Sequence, residues 1–333
     1  MVVKQALLPS EIQRVTDFLA QNDLGFDARV TETLYIEIDD QIVGTVSRLD
    51  YLIECLAVDK HYRGENLAGL LVTEILASLR AHQLYHYLVY TKAIYIPVFE
   101  AMNFTLLAST GSVCILEAGL ESILDEIAGL KRRIIGKAAL DSDFGAIVVN
   151  CNPITLGHYG LIETAAKKHR HLLVFVVEED LSMFSYKERF SLVWLALADL
   201  ENVIVLPSTK YIVSQLTFPS YFLKTMDERE EEHAKLDALI FKNYFMKELH
   251  ITKRYVGTEM DPFMVKYNAI LKTTLGDQLD IIQRYQKDGV TISASIVRKL
   301  MLEGKIEEAL GYVPQPTRPL LRELAKVKVR QHV

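Results

Sequence analysis

The stretch from Phe144 onward constrains this chain most. Five short apolar runs recur there: "FGAIVVN", "LLVFVVEE", "NVIVLPS", "KRYVGTE" and "LDIIQRY". Between and after them lie segments with helical spacing, "YKERFSLVWLALADL", "EEHAKLDALIFKNYFMKEL" and "SASIVRKLMLEG". Strands that alternate with helices imply a parallel sheet covered on both faces, a doubly wound α/β arrangement. In such sheets ligands bind beyond the carboxyl ends of the strands. The search for a site therefore starts where each apolar run stops.

The chain has 333 residues, which predicts two domains. Residues 1–116 read as a smaller α/β unit. "SEIQRVTDFLAQND" is an amphipathic helix with Ser10 as the expected N-cap, and "TLYIEIDDQIVGTVSRLD" is a hairpin turning at Asp39-Asp40. "YLIECLAV" and "YHYLVYT" are further strands. A long helix follows "HYRGENLAGLL", and "AIYIPVFEAMNF" holds a short one. In "LESILDEIAGLKRRI", Leu120, Ile123, Leu124, Ile127, Leu130 and Ile134 recur at helical spacing, so residues 117–142 are expected to be a helical linker. Residues 143–333 form the second domain.

The net charge of −6 argues against a nucleic-acid binder, which usually carries a basic face. The locally basic end, "RPLLRELAKVKVRQHV", reads as a solvated final helix. Cys55, Cys114 and Cys151 are few, odd in number and widely spaced, which excludes a disulfide framework and a zinc site. Neither a signal peptide nor a run long enough to span a membrane is present. The expectation is a reduced, soluble, cytoplasmic protein without nucleic-acid or membrane partners and without a protein-held metal site.

"NPITLGHYG" directly follows the first apolar run of the second domain. Asn152 to His158 therefore lie at a strand's carboxyl end, and the helix that follows points its N-terminus at the same place. Free backbone N–H groups and the helix dipole make that an anion site. Gly157 permits close backbone approach to a ligand. Thr155 and His158, three apart, can both face the anion. Far downstream, "ISASIVRKL" sets Ser293 and Ser295 at a helix start with Arg298 one turn on. Hydroxyls and amides can hold phosphate oxygens there, and an arginine fork can clamp them. Taken alone, this segment reads more readily as ordinary capping beside a surface arginine; paired with "TLGH", the balance reverses.

Together the two segments carry a resemblance. "NPITLGH" resembles the (T/H)xGH motif of the nucleotidyltransferase superfamily, and "ISASIVR" resembles its ISSTxxR motif. With "YIVSQLTFPSYFLK" and "RYVGTE", and behind a GNAT-like acetyltransferase unit, the whole chain resembles the citrate lyase ligase family. The resemblance implies a GNAT-like α/β domain followed by a Rossmann-like nucleotidyltransferase domain. It implies that Thr155, Gly157 and His158 hold the ATP phosphates and that Ser293, Ser295 and Arg298 hold the β- and γ-phosphates. Asn152 lines the same place. Gly257 and Glu259 would line ribose and base, and Arg189 in "SYKERF" would reach the nucleotide.

The implied reaction joins ATP, acetate and a thiol of deacetyl citrate lyase through acetyl adenylate, giving AMP, diphosphate and acetyl citrate lyase, with Mg2+ on the phosphates. The thiol belongs to a CoA-like prosthetic group on the lyase's acyl carrier protein. Asn152 stands where many members of the superfamily carry Asp; an amide does not repel an approaching carboxylate. In the first domain, "HYRGENLAGLL" resembles the GNAT pyrophosphate loop, with Arg63, Gly64, Leu67 and Ala68 as weak acyl-arm contacts. There Asn66 replaces the central glycine, and Glu100 stands where a tyrosine often does. The alternative reading is an adenylyltransferase acting on a pantetheine- or mononucleotide-type phosphate. Autonomous acetyl transfer and a non-catalytic scaffold are the remaining rivals.

Overall fold

The computed structural model describes residues 2–140, 143–212, 218–219, 221–223, 225–283, 286–287 and 290–331. The chain divides into two compact units. One is Met1–Ser122 with Phe218–Leu236, the other Ile123–Thr217 with Asp237–Val333.

The first unit holds a mixed sheet of β1 (Val3–Gln5), β2 (Glu32–Ile38), β3 (Gln41–Leu49), β4 (Leu52–Val58), β5 (His86–Lys92), β6 (Thr105–Ser109) and β7 (Val113–Gly119), in the order β1-β2-β3-β4-β5-β7-β6. Neighbours are antiparallel except β4 and β5. These two run parallel and pair only at Leu52–Leu88 and Ile53–Val89. The β2–β3 hairpin turns at Asp39 and Asp40, both left-handed at φ 49° and 57°, as a two-residue turn with right-twisted strands requires.

Helix α1 (Pro9–Gln21) starts two residues earlier than expected, with Leu8 at the N-cap position. Ser10 is not its cap. Pro9 fits the first turn, where its missing N–H costs nothing, and the Glu11 carboxylate accepts the Leu7 and Leu8 amides at 2.8 Å each. Helix α2 (Leu67–Ala81) packs Leu67, Leu71, Ile75 and Leu79 on one sheet face against Ile36, Val46 and Ile53. Val15, Phe18 and Leu19 of α1 pack with Tyr35 and Cys55. A short helix, α3 (Ile96–Glu100), precedes β6.

The second unit holds a five-stranded sheet of β8 (Phe144–Val149), β9 (His171–Val176), β10 (Val203–Pro207), β11 (Ile251–Gly257) and β12 (Leu279–Ile282). Every pairing is parallel, in the order β10-β9-β8-β11-β12. All five apolar runs are strands, and the doubly wound α/β class holds. The helices are α4 (Ile123–Ile135), α5 (Leu156–Ala166), α6 (Tyr186–Ala196), α7 (Met226–Ile240), α8 (Pro262–Leu275), α9 (Ala294–Leu302), α10 (Ile306–Leu310) and α11 (Arg318–Gln331). A π-helical turn, Phe241–Met246, continues α7.

The expected linker is helical, but it belongs to the second unit. Ile123, Ile127, Leu130 and Ile134 are buried, whereas Leu124 is exposed and Leu120 precedes the helix at 82 % exposure. Chain order runs outward from β8 in both directions, so the sheet reverses between β8 and β11. That is the switch point at which such sheets open a crevice.

Candidate functional site

The chain leaves β8 at Val149 and turns through Asn150, Cys151 and a cis Asn152–Pro153 bond into α5. Thr155 caps that helix. Its hydroxyl accepts the His158 amide, and the His158 ring answers: Nδ1 lies 3.1 Å from the Thr155 amide nitrogen and 2.9 Å from Oγ1. A ring nitrogen that accepts a backbone N–H carries no proton in the neutral ring, so the proton sits on Nε2. Thr155 is wholly buried. The expectation that both side chains face an anion is therefore corrected. Thr155 faces His158 and fixes its tautomer and direction, and the imidazole is half-buried.

Gly157 has a second use. A Cβ there would stand 2.8 Å from the carbonyl oxygen of Ile292, the first residue of "ISASIVR". The glycine lets the downstream motif close onto the first turn of α5, so its close approach is to backbone of the same chain.

Ser293 is the N-cap residue of α9, in extended conformation, but its side chain makes no capping bond. Ordinary capping thus does not explain it. Arg298, one turn in, is half-buried rather than on the open surface. Its Nη1 donates to the Asn152 carbonyl at 2.6 Å and its Nη2 to Ser295 Oγ at 3.3 Å. Residues 146 apart in the chain are thereby joined, and the two motifs meet at the switch point. Burial alone lowers the Arg298 pKa, and the arginine remains a cation at any working pH. Cys151 is buried in the core beneath, its thiol pushed far up by burial, which makes it packing rather than nucleophile.

Gly257 and Glu259 lie at the carboxyl end of β11, across the switch point from Asn152. The Gly257 carbonyl accepts the Asn268 amide at 2.9 Å, which pins α8 to the end of the strand. Glu259 is half-buried.

Arg189 departs furthest from expectation. It is 0 % exposed, and its guanidinium is spent on the chain itself: on the Phe184 carbonyl at 3.1 Å, the Asn150 carbonyl at 2.8 Å and the Glu179 carbonyl. The Glu179 carboxylate lies 3.7 Å away. A direct nucleotide contact by Arg189 is therefore corrected to a buried strut beneath the site. The signal was in the sequence: Arg189 shares a helical stripe with Leu192, Val193 and Ala196, and an arginine on an apolar stripe is a buried one. Glu179 was missed altogether. Its side chain is fully buried; its carboxylate accepts the Leu181 amide at 2.7 Å and the Ser182 hydroxyl.

In the first unit, Gly64 and Asn66 are both left-handed, at φ 97° and 58°, so Asn66 takes the conformation a glycine would have taken more cheaply. Arg63 is exposed, Ala68 half-buried, and Leu67 buried in the core, where only its backbone can face a ligand. A cavity of about 440 Å³ adjoins this loop, lined by Asn66, Leu70, Thr73, Leu76, Met102 and Asn103. Glu100 ends α3 and is exposed.

Among the described residues no helix is long and apolar enough to cross a membrane. No cluster of three or more His, Cys, Asp or Glu among them is placed to hold a metal ion. The segment "YIVSQLTFPSYFLK", which contributes to the family resemblance, lies partly outside the described residues.

Comparison with known proteins follows the same lines. A family profile described as the citrate lyase ligase C-terminal domain matches residues 144–321. Citrate pro-3S-lyase ligases from Klebsiella pneumoniae and Haemophilus influenzae are 31 % and 32 % identical to this chain, covering 94 % and 95 % of it and 93 % and 96 % of their own lengths. The Escherichia coli protein of the same name is 30 % identical over 94 % of this chain and 91 % of its own. Among solved structures, a GNAT-family acetyltransferase from Staphylococcus aureus aligns with 36 % of this chain and 100 % of its own, at 12 % identity and a TM-score of 0.31. Ard1 from Thermoplasma volcanium aligns with 36 % of this chain and 98 % of its own, at 16 % identity and a TM-score of 0.32.

Proposed function

The chain belongs to the citrate lyase ligase family, and from that premise we propose that it activates citrate lyase by acetylating a thiol prosthetic group on that enzyme's acyl carrier protein, at the expense of ATP. The observation that carries this reading is the 2.6 Å bond from Arg298 to the Asn152 carbonyl. It gathers an imidazole, a helix N-terminus and an arginine fork at the one crevice where a doubly wound sheet takes a nucleotide.

In this reading an acetate oxygen attacks the α-phosphorus of ATP. The new P–O bond forms as the bond to the β-phosphate oxygen breaks, and pyrophosphate leaves. His158 offers Nε2–H to the phosphate on which charge builds, because Nδ1 is already held by Thr155. Arg298 and the free amides at the start of α9, with Ser293 and Ser295, receive the leaving pyrophosphate. A thiolate of the carrier then attacks the acetyl carbonyl and AMP departs. No enzyme nucleophile is needed, in keeping with the buried Cys151. The chain brings no carboxylate cage among its described residues, so Mg2+ would arrive on the ATP phosphates and neutralise part of their charge. Asn152 presents no negative charge to the incoming acetate, and its Oδ1 is occupied by the Phe184 amide at 3.2 Å.

The test is pyrophosphate release from ATP with and without acetate, with AMP followed alongside. Acetate-dependent pyrophosphate, with AMP rising only when a thiol acceptor is added, is the expected result. Release that ignores acetate and needs a phosphorylated acceptor would replace this reading with adenylyl transfer.

A further inference from the structure

Arg189 and Arg254 are the largest fully buried side chains among the described residues. A guanidinium in a dry core is tolerated only when its donors are used and its charge is met. Both conditions hold for Arg189. Its donors go to the carbonyls of Asn150, Phe184 and Glu179, and the Glu179 carboxylate stands 3.7 Å away with its own side chain fully buried. An apolar residue would have filled this place on the stripe of Leu192, Val193 and Ala196 without such demands.

What distinguishes those carbonyls is where they lie. Asn150 directly follows β8 at the switch point, and Glu179 and Phe184 lie in the loop between β9 and α6. Between them sits Asn152, whose Oδ1 accepts the Phe184 amide and whose carbonyl accepts Arg298 Nη1. The buried arginine therefore holds Asn152 on two sides: along the chain through Asn150, and across the loop through Phe184. Asn152 in turn holds Arg298.

We propose that Arg189, paired with Glu179, is a positioning residue: it sets the Asn150–Pro153 turn and through the Asn152 carbonyl aims Arg298 at the phosphates. This rests on reading the crevice as the ATP site. Arg189 touches no substrate. Lysine cannot replace it, because an ammonium on a flexible stem lacks the planar fork that reaches three carbonyls at once.

The experiment uses the full chain with Arg189→Lys and Glu179→Gln, and Leu192→Ala as a core variant that loses stability without touching the turn. At a temperature where circular dichroism shows each variant folded, the KM for ATP and kcat of acetate-dependent pyrophosphate release are measured, with the ATP Kd by calorimetry. Arg189→Lys is expected to raise KM and Kd for ATP by about tenfold or more. Leu192→Ala stays within twofold despite an equal or larger drop in Tm. In an Arg298→Ala background, Arg189→Lys adds less than twofold, because both act through one guanidinium. An ATP affinity within twofold of the parent, or full additivity with Arg298→Ala, would overturn the proposal. If Arg189→Lys does not fold, Glu179→Gln is judged on the same thresholds, and failure of both to fold would make the pair structural and also overturn it. A parent that binds ATP but releases no pyrophosphate with acetate removes the proposed reaction, while the Kd comparison still decides the role of Arg189.

Discussion

Parallel strands part company at two places in this chain, and the two gaps are treated in opposite ways. In the second unit β8 and β11 diverge at the switch point. There the chain gathers a helix N-terminus, the His158 imidazole and the Arg298 fork. In the first unit β4 and β5 pair over two residues and then separate. That gap is filled from within: the Tyr221 hydroxyl, on the segment Phe218–Leu236, donates to the Tyr90 carbonyl at 3.2 Å across 131 residues of sequence, and the Cys55 amide faces the same phenol. Strand edges freed by divergence must find partners. The first unit spends a side chain on them, and the second leaves its polar groups around the opening. The comparison supports the proposal of nucleotide chemistry in the second unit and marks the gap in the first as closed by its own chain.

The largest expected effect tests the open gap. His158→Ala should lower acetate-dependent pyrophosphate release by about two orders of magnitude or more, the size of a lost donor at developing charge. Stability should fall by only about 1 kcal/mol, because the Thr155 amide loses the ring nitrogen that it meets at 3.1 Å. Steady-state rates on variant whose thermal unfolding remains cooperative separate the two. A variant of near-normal rate would remove His158 from the chemistry and leave it a capping residue.

The site was legible to different depths for physical reasons. Strands β8, β9 and β10 read directly because burial on both faces makes each a nearly continuous apolar run, whereas β11 and β12, with Lys253, Arg254 and Asp280, are shorter apolar signals. Helix α8 escaped notice: its buried stripe is Asn268, Leu271 and Leu275, and a polar residue in it, spent on the Gly257 carbonyl, blurs the period. The three-residue spacing of Thr155 and His158 places them side by side, but only the packed structure shows that they bond each other. Likewise the glycine of "TLGH" was read as room for a ligand, and it is room for the Ile292 carbonyl. Placement of Phe218–Leu236 in the first unit depends on contacts made far across the chain, which no local pattern records.

The next effect probes the closed gap. Glu54 on β4 is buried, and both carboxylate oxygens lack a partner among the described residues. Burial first, and the charge of Asp27 second, raise its pKa to about 7, against the pull of Arg29. The folded state then holds a proton up to about pH 7 that the unfolded chain releases near 4.5, so this group makes stability fall as pH rises between those values. Glu54→Gln should remove that slope and stabilise the protein at pH 8 by up to about 3 kcal/mol. Urea unfolding followed by circular dichroism at pH 5, 6 and 8 measures it. Equal pH slopes in the two proteins would mean that the carboxyl finds solvent or a partner, and the gap would not be closed.

The smallest effect asks whether the two units work apart. Asn66 is left-handed at φ 58°, a conformation that asparagine tolerates and alanine resists. Asn66→Ala should cost about 1 kcal/mol, and Asn66→Gly should cost nothing measurable, since glycine takes that conformation freely. Neither should alter pyrophosphate release measured without a thiol acceptor, because adenylation is placed at the β8–β11 crevice. With the carrier thiol added, a slower second step in Asn66→Ala alone would give the loop a part in receiving the acyl arm. A change in pyrophosphate release itself, in either variant, would break the comparison at its root: the closed unit would then be shaping the chemistry of the open one.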